Sequence, residues 1–164
     1  MNKMLLIVIL ALLCVAGWWL LRDDPEAEVR DAHQALVQLL SKAEGEATGT
    51  TIVNARILQS MFANNCDVTG AAEMFAGSYT PEEMVSTTIR VQGMFLIVDL
   101  AFHEMVVEFP ADDDAISRFT AVLVVKSQVE GELAETRNVI SRMRNVDGKW
   151  LFSEFRLAKV PEAA

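Results

Sequence analysis

The chain reads as an α+β protein: three amphipathic helices ahead of an antiparallel sheet, with one apolar segment in front of them. Three observations predict this. Apolar residues recur every three to four positions up to about residue 95. Beyond Phe95 the period falls to two. Turn signals at Pro110–Asp114 and Asp147-Gly148 then divide the extended part into strands. Helices first and strands afterwards is the order of an α+β domain, and 164 residues suit one such domain with a short appendage.

The appendage comes first. From Met4 to Leu21 the sequence MLLIVILALLCVAGWWLL carries no charge. As a helix it would be roughly 27 Å long, close to the hydrocarbon thickness of a bilayer. Trp18 and Trp19 lie at one end, where indole rings favour the headgroup boundary. Residues 1–22 are therefore expected to be a transmembrane anchor, with 4–21 in the membrane. A cleaved signal peptide is the rival reading, with Val15 and Gly17 before the cut and Trp18 as the new terminus. Lys3 precedes the run, whereas Asp23, Asp24, Glu26 and Glu28 follow it, so the positive-inside rule puts the rest outside the cytoplasm. Arg22 weighs against that orientation. The expectation is a single-pass protein of the cell membrane with an extracytoplasmic domain, periplasmic in a Gram-negative cell.

Residues 23–28, charged and holding Pro25, read as a short linker. The first helix then places Val29, Ala32, Leu36, Leu39, Leu40 and Ala43 on one stripe, with His33 at its boundary. After a Gly- and Thr-rich loop, a second helix aligns Ile52, Ala55, Leu58, Met61 and Phe62, and a short extended piece spans 66–75. Thr80-Pro81-Glu82-Glu83 is a capping box that opens a third helix to about Met94. Four strands follow: 96–109, 116–128, 134–145 and 150–159, the last two joined by a tight turn at Val146–Lys149. Residues 161–164 are a tail. Leu96-Ile97-Val98 and Val122–Val125 are apolar on both faces of their strands, as in a sheet covered on both sides. Helices cover one face; a second copy of the chain, in a homodimer, is expected on the other.

The net charge is −9, and with Lys3 and Arg22 set aside the 14 bases become 12 against all 23 acids. A domain so acidic repels phosphates and anionic headgroups, which excludes nucleic acid as a partner. Of the two cysteines, Cys14 lies in the apolar segment, so Cys66 has no disulfide partner in the domain. No cofactor motif and no metal-ligand spacing occurs, so neither a cofactor nor a metal is expected. Asp112, Asp113 and Asp114 are consecutive and read as a solvated turn rather than a calcium site.

Met61–Asn65, Gly77–Glu83 and the closing Arg144–Leu151, in that order, resemble the nuclear transport factor 2-like superfamily, which includes ketosteroid isomerase and the SnoaL cyclases. The resemblance spans roughly residues 29–160 and implies a cone-shaped domain: helices wrapped by a curved sheet around an internal pocket. Ketosteroid isomerase-like enzymes use a carboxylate base after the second helix, a tyrosine on the first helix and a protonated acid in the penultimate strand. The matching positions hold Gly70 and Ser141, and the first helix has no tyrosine, so that chemistry is not expected.

What remains is a short list of candidates. Asp99 and His103 lie on one strand four residues apart, hence on one face, but about 13 Å from each other. Glu104 should point to the opposite face. Tyr79, before a helix cap, is the third catalytic candidate. The resemblance implies that Ser141 and Met143 face the cone interior, so Ser141, Met143, His103 and Tyr79 form the expected ligand pocket. The leading functional reading is a membrane-anchored, non-catalytic binding or assembly module, taking a protein partner or a small apolar ligand. Some envelope-assembly subunits of secretion systems pair one membrane helix with such a cone. The alternative is a tethered lyase or isomerase working on a small hydrophobic substrate through His103.

Overall fold

The structure, a computed structural model, describes residues 3–20, 24–45, 48–70 and 75–159. A helix, α1, spans Lys3–Leu20, and Ile7, Leu10, Leu12, Leu13 and Trp18 on it are exposed. The expected transmembrane span is not found: among the described residues no helix is long and apolar enough to cross a membrane. Leu21, where the apolar run ends, lies outside the described residues.

The next helix, α2, runs Pro25–Leu40 and so begins inside the stretch expected to be a linker. Asp24 explains the start. Its carboxylate accepts from Glu26 N at 3.1 Å, Pro25 fills the first helical position, and Glu26 and Glu28 favour the positive end of the helix dipole. α3 spans Thr48–Gln59: it begins inside the stretch expected to be a loop and ends three residues before Phe62. Phe62 leaves the helical stripe and opens strand β1, Phe62–Thr69. Tertiary pairing decides this: Phe62 lies beside Phe152 in a parallel ladder, and Phe152 N donates to Met61 O at 2.9 Å. A three-residue strand that the sequence pattern did not suggest, β2 at Gly77–Tyr79, follows. α4, Pro81–Met94, starts where expected, with both hydrogen bonds of the Thr80–Glu83 capping box formed.

The strands β3 (Ile97–Ala111), β4 (Asp114–Ser127), β5 (Gly131–Val146) and β6 (Lys149–Lys159) make the meander. All six join one sheet in the order β2-β1-β6-β5-β4-β3. It is mixed rather than wholly antiparallel, because β1 lies parallel to β6. β3 continues through Pro110 because it is an edge strand, where a missing N–H costs no ladder bond. A bulge interrupts it after His103, with Glu104 at φ 56°. At its beginning, Val98 exchanges two backbone hydrogen bonds with Lys42.

The pairing of β4 with β5 is unbroken from Asp114 to Ser127, so the two faces can be read by alternation. Ala115, Ser117, Phe119 and Val125 face the helices and are buried. Leu123 is therefore inward too, while Val122 and Val124 lie half-buried on the outer face. The densest core lies where Val29 and Leu36 of α2 meet Phe62, Ala115, Met143, Trp150 and Phe152.

Candidate functional site

Toward the other end of the same inner face, the helices and sheet part to leave a cavity of about 270 Å³. Leu36 and Leu40 of α2 and Met84 and Thr88 of α4 form its roof. Leu100, Phe102, Phe119, Ala121, Val139 and Leu157 form its floor. Thr88 is the single polar lining residue, and its hydroxyl donates to Met84 O within the helix at 2.9 Å. A cavity lined this way favours an apolar guest. Beyond Val139 the alternation of β5 carries the inner face on to Arg137 and Glu135, which form an ion pair. Arg137 lies opposite Ala121, a floor residue.

Beside the cavity, one turn before Leu36 on α2, lies His33, which is only 1% exposed and not a boundary residue as its sequence position suggested. Its ring meets Phe119 edge-on at 5.4 Å, Phe152 at 4.9 Å and Phe102 at 6.2 Å. Its Nδ1 is 2.7 Å from Val29 O. A carbonyl can only accept, so Nδ1 carries the proton and Nε2 is left as an acceptor. Ser141 Oγ, 2.6 Å from Nε2, then donates to it. Burial is the largest cause that moves His33 from its ordinary 6.5 to about 4; the Val29 bond opposes the shift and the Arg30 charge adds to it. The imidazole is thus neutral at physiological pH, and its one lone pair is occupied. Ser117, opposite Ser141 on the neighbouring strand, has a buried hydroxyl without a partner among the described residues.

The sequence candidates fall elsewhere. Asp99 and His103 are exposed on the outer face of β3, because their neighbours Leu100 and Phe102 line the cavity. Tyr79 belongs to the opposite edge strand of the sheet, and its hydroxyl donates to Phe75 O at 2.7 Å. The three do not converge. Glu104, expected opposite His103, is turned by the bulge onto the outer face as well. There it lines a groove with Glu108, Arg118, Thr120 and Asn138. Ser141 and Met143 do face inward as expected, but both are sealed in the core and neither lines the cavity. Among the expected pocket residues, then, Ser141 is linked to the cavity floor through His33, whose ring meets Phe102 and Phe119.

Other reactive groups are similarly committed. Burial pushes the Cys66 thiol up to about 12, with Asp67 and Glu154 adding to the shift, so it stays protonated. Of the three consecutive acids, Asp112 and Asp113 make the turn, but Asp114 binds Arg142 through two bonds of 2.9 and 2.7 Å. That fork holds the Asp114 carboxyl below its ordinary range. Gly70, in the position matched to a carboxylate base, has φ 74°, and a Cβ there would overlap the Leu157 carbonyl. No acid fits at that place without moving β6.

No family model matches the chain, and no curated protein does. Solved structures do. A putative scytalone dehydratase from Novosphingobium aromaticivorans is similar at 14% identity and TM-score 0.67, over 83% of this chain and 84% of that one. The hexachlorocyclohexane dehydrochlorinase LinA gives 17% identity and TM-score 0.63, over 81% and 84%. A putative calcium/calmodulin-dependent protein kinase II association domain from Xanthomonas campestris gives 16% and 0.61, over 86% and 91%. An NTF2-like protein from Cytophaga hutchinsonii gives 8% and 0.60, over 84% and 100%. The chain therefore has the nuclear transport factor 2-like fold, one that carries both enzymes and association domains.

Proposed function

We propose that this protein is a membrane-associated, non-catalytic binding module whose cone cavity takes a small apolar ligand. The observation that carries the reading is the cavity itself: about 270 Å³, apolar on all sides, with no titratable side chain in its lining. The lyase or isomerase alternative rested on His103, which is exposed on the opposite face of the sheet and cannot serve a substrate held there. The exposed apolar side chains of α1 support membrane association, and Lys3 ahead of them supports an extracytoplasmic domain.

The full chain, reconstituted in phospholipid nanodiscs, should bind the neutral dye N-phenyl-1-naphthylamine saturably above the level of empty discs. Ala121→Trp should abolish that binding by filling the cavity. Equal dye uptake by discs with and without protein would refute the reading. The half-buried Val122 and Val124 on the outer face support a second element, dimerisation through the sheet. Val124→Asp should give monomers that stay folded, whereas Val125→Asp, placing an unpaired charge in the core, should unfold the domain. A wild-type chain that is already monomeric at micromolar concentration would remove the dimer.

A further inference from the structure

The strand that floors the cavity also says what should stand at its mouth. β5 presents Val139, Ser141 and Met143 to the interior, all buried. The ladder to β4 is regular back to Gly131, so the next two inward positions are Arg137 and Glu135. Arg137 is opposite Ala121 and two residues from Val139, both of which line the cavity. An arginine on the inner face of a sheet, at the end of an otherwise apolar cavity, calls for an explanation. It does not cover the core, where His33, Phe152 and Met143 already pack. Its Nη2 is engaged by Glu135 on the same strand, and among the described residues no other side chain pairs with the guanidinium.

Accepting that the cavity binds an apolar ligand, we infer that the ligand is a single-chain amphiphile whose anionic head group is held by Arg137. The cavity dimensions give the chain length. With each carbon taken at about the 30 Å³ that one water molecule occupies in the liquid, about 270 Å³ holds a chain of roughly nine carbons behind the head group. The apolar walls give the chain no hydrogen-bond partner, so they select for a saturated or aromatic body and leave polar recognition to the mouth. A guanidinium meets a carboxylate, phosphate or sulfate with parallel N–H donors, which a neutral alcohol cannot match and a cationic head group opposes. The surroundings sharpen the choice. In a chain of net charge −9, an anion gains little from the general field and depends on a local cation.

The test compares three probes with one ten-carbon chain: decanoate, decanol and decyltrimethylammonium. Each displaces N-phenyl-1-naphthylamine from the full chain in phospholipid nanodiscs, with empty discs as the blank. Wild type should prefer decanoate to decanol by about tenfold, the size of one charge-assisted hydrogen bond, and should bind the cation most weakly. Arg137→Gln should bring decanoate down to the level of decanol while leaving dye and decanol affinities unchanged. Arg137→Lys, which keeps the charge and loses the fork, should restore part of the preference. If all three probes bind alike and Arg137→Gln changes nothing, the head-group assignment is wrong although the cavity still binds apolar molecules. If neither dye nor any probe binds, the apolar-ligand reading falls, and this inference with it.

Discussion

The inner face of the sheet has two ends built from the same strands, and they have opposite fates. At one end Ala115, Met143, Trp150 and Phe152 are sealed under Val29, His33 and Leu36. At the other, Leu100, Ala121, Val139 and Leu157 are just as apolar, yet a cavity separates them from α2 and α4. Alternation along the strands is equal at both ends. The difference is what comes down from above: α2 brings an imidazole against Phe119 and Phe152 at the first, while Leu36, Leu40, Met84 and Thr88 roof the second without filling it. A pocket in this fold is thus a place where helices fail to fill a sheet that is ready to be filled.

That contrast can be tested by substitution. Phe152→Ala, at the packed end, should cost about 3–5 kcal/mol in urea unfolding, because a fully buried ring leaves a void its neighbours cannot close. Leu157→Ala, on the cavity wall, removes a half-buried side chain that already faces empty space and should cost about 1–2 kcal/mol. Equal costs would mean that the cavity is closed in solution.

Acid should act on the packed end first. His33 titrates near 4 in the folded chain against 6.5 when unfolded, so the unfolded state binds more protons between those values. Stability is therefore complete above about pH 6.5 and falls as pH drops through 4, by about 3 kcal/mol in all. The Asp114–Arg142 fork acts lower, since a depressed carboxyl loses its contribution only below its ordinary 3.8. Unfolding midpoints that stay flat from pH 6.5 to 4 would show that His33 reaches water.

Ser141→Ala should cost about 1–3 kcal/mol, because it leaves His33 Nε2 without a donor. The double change His33→Leu with Ser141→Ala should recover most of that loss, since both polar partners are gone together. The smallest effect belongs to the open end. Ala121→Leu should shift stability by no more than about 1 kcal/mol, because the added methyls enter existing space, and should still weaken ligand binding severely.

Much of this architecture was legible. The capping box at Thr80–Glu83 and the period-two runs placed α4 and four strands within a few residues of their observed limits. The inward aspect of Ser141 and Met143 followed from the resemblance. Phe62 was misread because it fits a helical stripe as well as a strand, and only its parallel pairing with Phe152 decides between them. His33 carried an available signal: it sits four residues after Val29 and three before Leu36, in the middle of the apolar stripe rather than at its edge. A histidine there needs partners, and Val29 and Ser141 supply them. His103 could have been placed outward from Phe102, which lines the cavity one residue earlier. The left-handed turn at Glu104 had no signal at all, since no glycine or asparagine marks it.

The free side of β3 has a consequence of its own. Fifteen residues of edge strand would ordinarily invite a strand from another molecule to continue the ladder. Here the invitation is withdrawn in three places. Lys42 occupies the hydrogen-bonding groups of Val98, Arg30 donates to the Met105 carbonyl beside the bulge, and Pro110 offers no N–H near the end. A chain that leaves its inner face partly unfilled and its N-terminal helix apolar is exposed to aggregation on two counts. Its longest strand edge is guarded against a third, so copies crowded side by side are held back from pairing along β3.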